Sequence, residues 1–219
     1  MDTYGDHALT CPCKGDRTIR HNRLRDLTYD EAVEGNFAPE KEKPGLLPER
    51  PADDGLNSRT EHSHRRPADV WLPTGSGLTR GRAEALDFAV TSGLRQDAVQ
   101  KAIAAPQSVC LDYETFKNNY KDTKSLCEEA GFTFTPLVFE AHGGGWSAAA
   151  LRVFGQIAKQ QKSAGILCKE GVSLKIAQRL STAIHMANSR AVLKRLSTGM
   201  PSAPTVLDLE AADVDSDMD

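Results

Sequence analysis

The sequence predicts an α/β fold, a small mixed β-sheet flanked by helices. Three observations carry that expectation. Val70 and Leu72 share one face of a short strand and Leu86, Phe88 and Val90 share one face of a second; residues 73–83 between them are rich in Gly, Ser, Thr and Pro, so the pair reads as a β-hairpin with a long loop. A third strand is predicted over residues 132–140, FTFTPLVFE. Around these lie segments with apolar residues at three- and four-residue spacing, the mark of amphipathic helices.

Taken in order, residues 1–15 hold His7, Cys11 and Cys13, and His21 follows shortly, a cluster of the thiol and imidazole groups that suit Zn²⁺. C-x-C is an unusual pair spacing, so a complete zinc site, half of one, and two free cysteines in a frayed terminus all fit. Residues 16–34 read as a helix capped by Asp16 or Thr18 and stopped by Gly35, with Ile19, Leu24, Leu27 and Val33 as a broken apolar stripe. Arg17, Arg20, Arg23 and Arg25 make its polar surface basic, fit to touch phosphates or simply to be solvated. Residues 36–66 are rich in proline and charge and read as a loop. Within it Arg50-Pro51-Ala52-Asp53 duplicates Arg66-Pro67-Ala68-Asp69, but only the second copy runs into a strand-like Val-Trp-Leu, so the first is set aside.

Beyond the hairpin, a short helix is expected over residues 96–104 and a longer one over 109–130, closed by Gly131 and striped by Val109, Tyr113, Phe116, Tyr120 and Cys127. Lys117, Lys121 and Lys124 form a row about 75° around that helix from the stripe. Lysines placed so can lean over a sheet edge while their stems stay packed. Pro136 argues that the third strand lies at an edge or holds a bulge. The strand ends at Glu140, and Gly143, Gly144 and Gly145 lead into a helix over 147–164 capped by Ser147 and striped by Leu151, Phe154, Ile157 and Ala158. Such glycines permit an anion to approach the helix N-terminus, or serve as a flexible connection. A last helix over 173–197 carries Leu174, Ala177, Leu180, Ile184, Ala187 and Ala191, a stripe that packs on the domain, and Gly199 ends it.

Asp69 and Asp87 are equidistant from Leu78, so a hairpin symmetric about that residue sets them opposite one another on one face, with Cβ atoms about 4.5–5.5 Å apart. Like charges there destabilise a sheet unless a cation sits between them. Mg²⁺ is held by one or two carboxylates, with water and phosphate oxygens in its remaining positions. A slip of one residue separates the pair, and two solvated surface acids need no cation.

The 219 residues suit one domain with tails, or one domain plus a small module. The net charge is −3, yet the last twelve residues hold six acids and no base, leaving 27 bases against 24 acids elsewhere. That tail reads as disordered and able to compete with nucleic acid for a basic surface, and the remaining positive excess permits a polyanion partner. Five cysteines at irregular spacing do not form a disulfide framework and point to a reducing, intracellular compartment. No apolar run approaches membrane-spanning length and the N-terminus lacks the core of a secretory signal, so a soluble protein without a membrane partner is expected. The expected organisation is a zinc-knuckle-like residues 1–15, a domain over 16–164 with its loop at 36–66, a C-terminal helix over 165–199 and an acidic tail over 200–219.

Pro67-Ala68-Asp69 followed by Asp87-Phe88-Ala89 resembles the PD-(D/E)XK restriction-like nucleases, with Ala89 where their lysine usually stands. A lysine displaced onto the following helix is similar to the restriction-like endonuclease domain at the C-terminus of site-specific, LINE-type (non-LTR) retrotransposon reverse transcriptases. There the order is a Cys-Cys-His-Cys zinc knuckle, an Arg-His helix, a Pro-Asp, an Asp, and a Lys near a Tyr. His7 with Cys11 or Cys13, Arg20-His21-Asn22, Asp69, Asp87, and Lys117 with Tyr120 follow that order over roughly residues 5–160. The resemblance implies a restriction-endonuclease-like fold and cleavage of one DNA strand with Mg²⁺ or Mn²⁺, beside a reverse transcriptase or element RNA and hence in the nucleus. It implies that Asp69 and Asp87 hold the metal and that Lys117 stabilises charge, with Lys121 its nearest substitute; Glu140 is a further site carboxylate and Glu31 a candidate supporting acid. Arg17, Arg20, Arg23 and Lys124 are the candidate DNA contacts. Two upstream knuckle cysteines and a polymerase domain are missing and seventeen residues separate the aspartates, which implies a truncated or degenerate copy. Two rivals stand beside it: an inactive relative that only binds nucleic acid, and a structural protein whose acids and lysines merely solvate its surface.

Overall fold

Two long strands buried on both faces form the centre of the computed structural model, which describes residues 9, 15–48, 67–74, 81–105, 107–142, 145–169 and 171–196. The sheet runs β1 (Glu40–Lys41), β2 (Val70–Leu72), β3 (Glu84–Thr91), β4 (Thr133–Glu140), in that spatial order. The first three strands pair antiparallel and β4 pairs parallel to β3. A parallel pair needs a long crossover, and here it carries α2 (Val99–Ala104), α3 (Ser108–Asn119) and α4 (Thr123–Glu129). The other helices are α1 (Asp16–Glu34), α5 (Ala148–Ser163) and α6 (Val172–Leu196).

The period of two in β3 and β4 distributes the core between the sheet's faces. Leu86, Phe88, Leu137 and Phe139 meet Leu24 of α1, Ile157 of α5, and Ile176, Leu180 and Ile184 of α6. On the opposite face Trp71, Ala85 and Phe134 meet Cys127 of α4, while Ala89 and Val138 meet Cys110 of α3. Helices on both faces explain why β3 and β4 are buried at nearly every position.

The hairpin register is the symmetric one expected, with Val70 opposite Leu86, Trp71 opposite Ala85 and Leu72 opposite Glu84. Pro136 stands on an edge strand, where a missing N–H costs nothing in the ladder. Ser147 caps α5 by accepting from the Ala150 N–H, and the α6 stripe packs on the domain.

Four expectations need correction. The first helix has Gly15 in the left-handed region at its N-cap, and neither Asp16 nor Thr18 caps it. The loop over 36–66 contains β1, whose two residues are too short to show a period. The single helix over 109–130 is broken: a 3₁₀ turn at Tyr120–Asp122 places Lys121 and Asp122 at φ 51 and 56, so the lysine row does not continue along one cylinder. Val33, Phe116, Tyr120, Leu151 and Leu174, assigned to apolar stripes, are exposed. Residues 49–66 and the expected acidic tail lie outside the described residues.

Two buried carboxylates tie the layers together. Glu84 accepts from Thr135 Oγ1 at 2.6 Å and from Arg152 at 2.7 Å. Glu31 is fully buried, pairs with Arg179 of α6 and accepts from Gln161 Nε2 of α5 at 2.7 Å. It is therefore a structural acid joining three helices. Removing one partner of a buried pair strands the other charge. Arg179→Ala is expected to lower unfolding free energy by about 2–3 kcal/mol in urea denaturation, because Arg179 is partly solvated. Lys175→Ala, which breaks the more exposed pair with Glu34, is expected to cost less than about 1 kcal/mol.

Candidate functional site

β2 starts at Val70, whereas β3 runs on to Thr91, so the part of β3 beyond Leu86 has no β2 partner in the ladder. A backbone N–H left open there needs an acceptor. Asp69, immediately before β2, supplies it: its Oδ2 accepts from the Phe88 N–H at 2.7 Å, while its own N–H donates to the Leu86 carbonyl at 2.8 Å. The carboxylate is thus positioned by the sheet's backbone at the point where the strand edge opens.

Both flanking layers reach this point. From α1, His21 Nε2 lies 3.0 Å from Asp69 Oδ2, and its ring stands edge-on to Phe88 at 6.3 Å. From α3, the Lys117 ammonium lies 2.8 Å from Asp87 Oδ2. A cleft of about 190 Å³ opens beside the pair, between Arg17, Arg20 and His21 of α1 and Tyr113 and Lys117 of α3, with β3 as its floor.

Burial and pairing compete here. Burial pushes the Asp87 carboxyl up to about 6; Lys117 pulls it down and the neighbouring Asp69 charge pushes it up again. Burial works against the charged form of His21, yet the hydrogen bond and charge of Asp69, with smaller help from Asn22 and Asp87, raise its pKa overall. Lys117 is likewise disfavoured by burial and raised overall by Asp87. Raised values on the acid and on both basic side chains mark groups held close together in a partly desolvated setting.

The donor set fits a hard divalent cation. Among the described residues no group of three or more His, Cys, Asp and Glu side chains is disposed to hold a metal, and the neighbouring pair Asp69 and Asp87 offers two carboxylates. That is the complement Mg²⁺ takes when water and phosphate fill its remaining positions. His21, the Phe88 N–H and Lys117 all engage Oδ2 atoms, and Oδ1 is the remaining oxygen of each aspartate.

Of the residues singled out in the sequence, the structure brings together Asp69, Asp87 and Lys117, with Arg17 and Arg20 at the cleft wall. Arg20 is 6% exposed and donates to Asn188 Oδ1 at 2.8 Å, so it also fastens α1 to α6. Glu140 is not drawn in. It lies on the Asp87 face but four residues beyond Pro136, the register partner of Asp87, about 13 Å along the strand. Its carboxylate packs against Gly145, where an added Cβ would displace it. Lys121 sits in the helix break over the Tyr120 ring, Lys124 is exposed near Glu128, and Arg23 is exposed on α1. His7, Cys11 and Cys13 lie outside the described residues, as do Gly143 and Gly144. His21, grouped in the sequence with His7, Cys11 and Cys13, lies 3.0 Å from Asp69. The signal for it was the spacing of Arg17, Arg20, His21 and Leu24, one face of a helix whose Leu24 is fully buried.

No protein-family model matches the chain, and a search of curated proteins found no significant match.

A folded-state carboxyl pKa above its ordinary value means that the native protein holds a proton the unfolded chain releases. The resulting contribution to stability is present below the ordinary carboxylate pKa and is lost as pH rises through about 6. Asp87→Asn removes that loss. Its melting temperature is expected to exceed wild type by at least about 2 °C near pH 7.5, and to match it near pH 4, in paired thermal scans.

Proposed function

We propose that this chain is a restriction-endonuclease-like core of LINE-type retrotransposon origin that nicks one strand of DNA with the help of Mg²⁺ or Mn²⁺. The observation that carries this reading is the convergence of Asp69, Asp87 and Lys117, from three separate elements, at an open strand edge beside an arginine-walled cleft. An ion bound there would polarise the phosphate and lower the pKa of an attacking water. Asp69 and Asp87 would hold it through oxygens fixed by the backbone and by the α3 contact. Lys117 offsets charge developing on the phosphate oxygens. Arg17, exposed at the cleft mouth, meets the DNA backbone and supplies position rather than sequence readout.

The position of the lysine has a physical reason. Asp87 and Ala89 share a strand face, and Ala89 packs in the cluster of Cys110 and Tyr113 on α3. A small residue at 89 lets α3 lie close to the sheet, and Lys117 then reaches Asp87 from the helix. The reading carries with it a nuclear setting beside a reverse transcriptase or element RNA.

A second reading, a catalytically inactive nucleic-acid-binding remnant of the same fold, is favoured by one observation: cationic or N–H partners already engage Oδ2 of both aspartates. Incubation with supercoiled plasmid separates the two. Metal-dependent nicking is expected from wild type, with a loss of about a hundredfold or more in Asp87→Ala and in Lys117→Ala. Folded wild-type protein that leaves the plasmid intact, yet binds duplex with a steep salt dependence that survives Asp87→Ala, supports the remnant.

A further inference from the structure

We propose that Tyr113, Phe116 and Tyr120 form a stacking platform for the bases of single-stranded DNA leaving the carboxylate cleft. The inference takes its location from the nuclease reading above and deepens it by making an unpaired flank part of the substrate. The apolar stripe of α3 is buried at Val109 but surfaces along the helix, with Tyr113 half-buried and Phe116 and Tyr120 53% and 47% exposed. Their rings touch in series: Tyr113 to Phe116 and Phe116 to Tyr120 are each 5.6 Å between centroids. The row starts at the cleft, because Tyr113 lines it beside Lys117.

Cations border the row. Lys117 is four residues after Tyr113 and three before Tyr120, hence a neighbour of both on the helix surface. Lys121 holds its ammonium 5.9 Å from the Tyr120 ring centre. Rings in series with ammonium groups alongside match what unpaired DNA presents and a duplex conceals: the π-face of each base, with a phosphate for each nucleotide. A protein partner fits this face less well. Leu111, the other large exposed apolar residue on α3, points about 140–180° away around the helix and adds nothing apolar beside the rings. A strand whose phosphate is engaged at Asp69, Asp87 and Lys117 meets Tyr113 next, and the outer rings hold the bases that follow.

Both outer rings are solvent-exposed, so Phe116→Leu with Tyr120→Leu keeps apolar bulk and helix propensity while deleting the π-faces; circular dichroism checks the fold. Fluorescence anisotropy in EDTA, with labelled oligothymidine and with a labelled duplex hairpin, reads binding without cleavage. The double variant is expected to lose about tenfold or more in affinity for oligothymidine and less than about twofold for the duplex. An unchanged affinity for oligothymidine, an equal loss on both probes, or a wild type that does not bind oligothymidine would overturn the proposal. Plasmid nicking by the same two proteins keeps the readings apart. Selective loss of oligothymidine binding upholds the platform even where wild type does not nick, and nicking with unchanged oligothymidine binding rejects the platform alone.

Discussion

The hydrogen bond from the Phe88 N–H to Asp69 Oδ2 sets the rest of the site. β2 is three residues long and β3 eight, so a strand edge in the middle of the molecule is left without a backbone partner. Covering that edge with a further strand would bury it; meeting it with one side chain leaves it open to a cleft. Because the acceptor is a carboxylate, satisfying the backbone also brings a negative charge beside Asp87. The position then draws basic side chains from both layers, His21 from one and Lys117 from the other.

This arrangement differs from the chain's other buried charges. Glu31 and Glu84 are at most 1% exposed, paired with arginines and hydrogen-bonded, and they join elements. Asp69 and Asp87 are each 17% exposed, contact His21 and Lys117 that line the cleft, and repel one another. Stability alone does not favour two acids at such a place, since a partly buried pair of like charges disfavours the compact state. Perturbed acids of this kind occur at binding and catalytic sites and in structural ion-pair networks alike.

Much of the framework was legible because its signals are local. Helix α1 could be bounded from sequence because Gly35 ends a helical pattern, and the hairpin register followed from alternation on both sides of a turn-rich loop. The approach of Asp69 to Asp87 was legible for the same reason. What was missed depends on where the sheet ends, which no period reports. β1 is too short to alternate, and Phe116 and Tyr120 keep a core-like spacing while standing exposed. The helix break at Lys121 and Asp122 uses left-handed conformations without glycine, so no residue announces it. His21 was read beside its sequence neighbours, the cysteines, whereas its partner lies 48 residues away.

A divalent ion held by the two aspartates is the centre of this account, and titration of Mn²⁺ into the purified protein, followed by electron paramagnetic resonance, tests it most directly. Wild type is expected to take up one ion per chain, and the Asp69→Asn, Asp87→Asn double variant, folded by circular dichroism, is expected to take up none. Binding that persists unchanged in the double variant, or its absence from folded wild-type protein, would contradict the account.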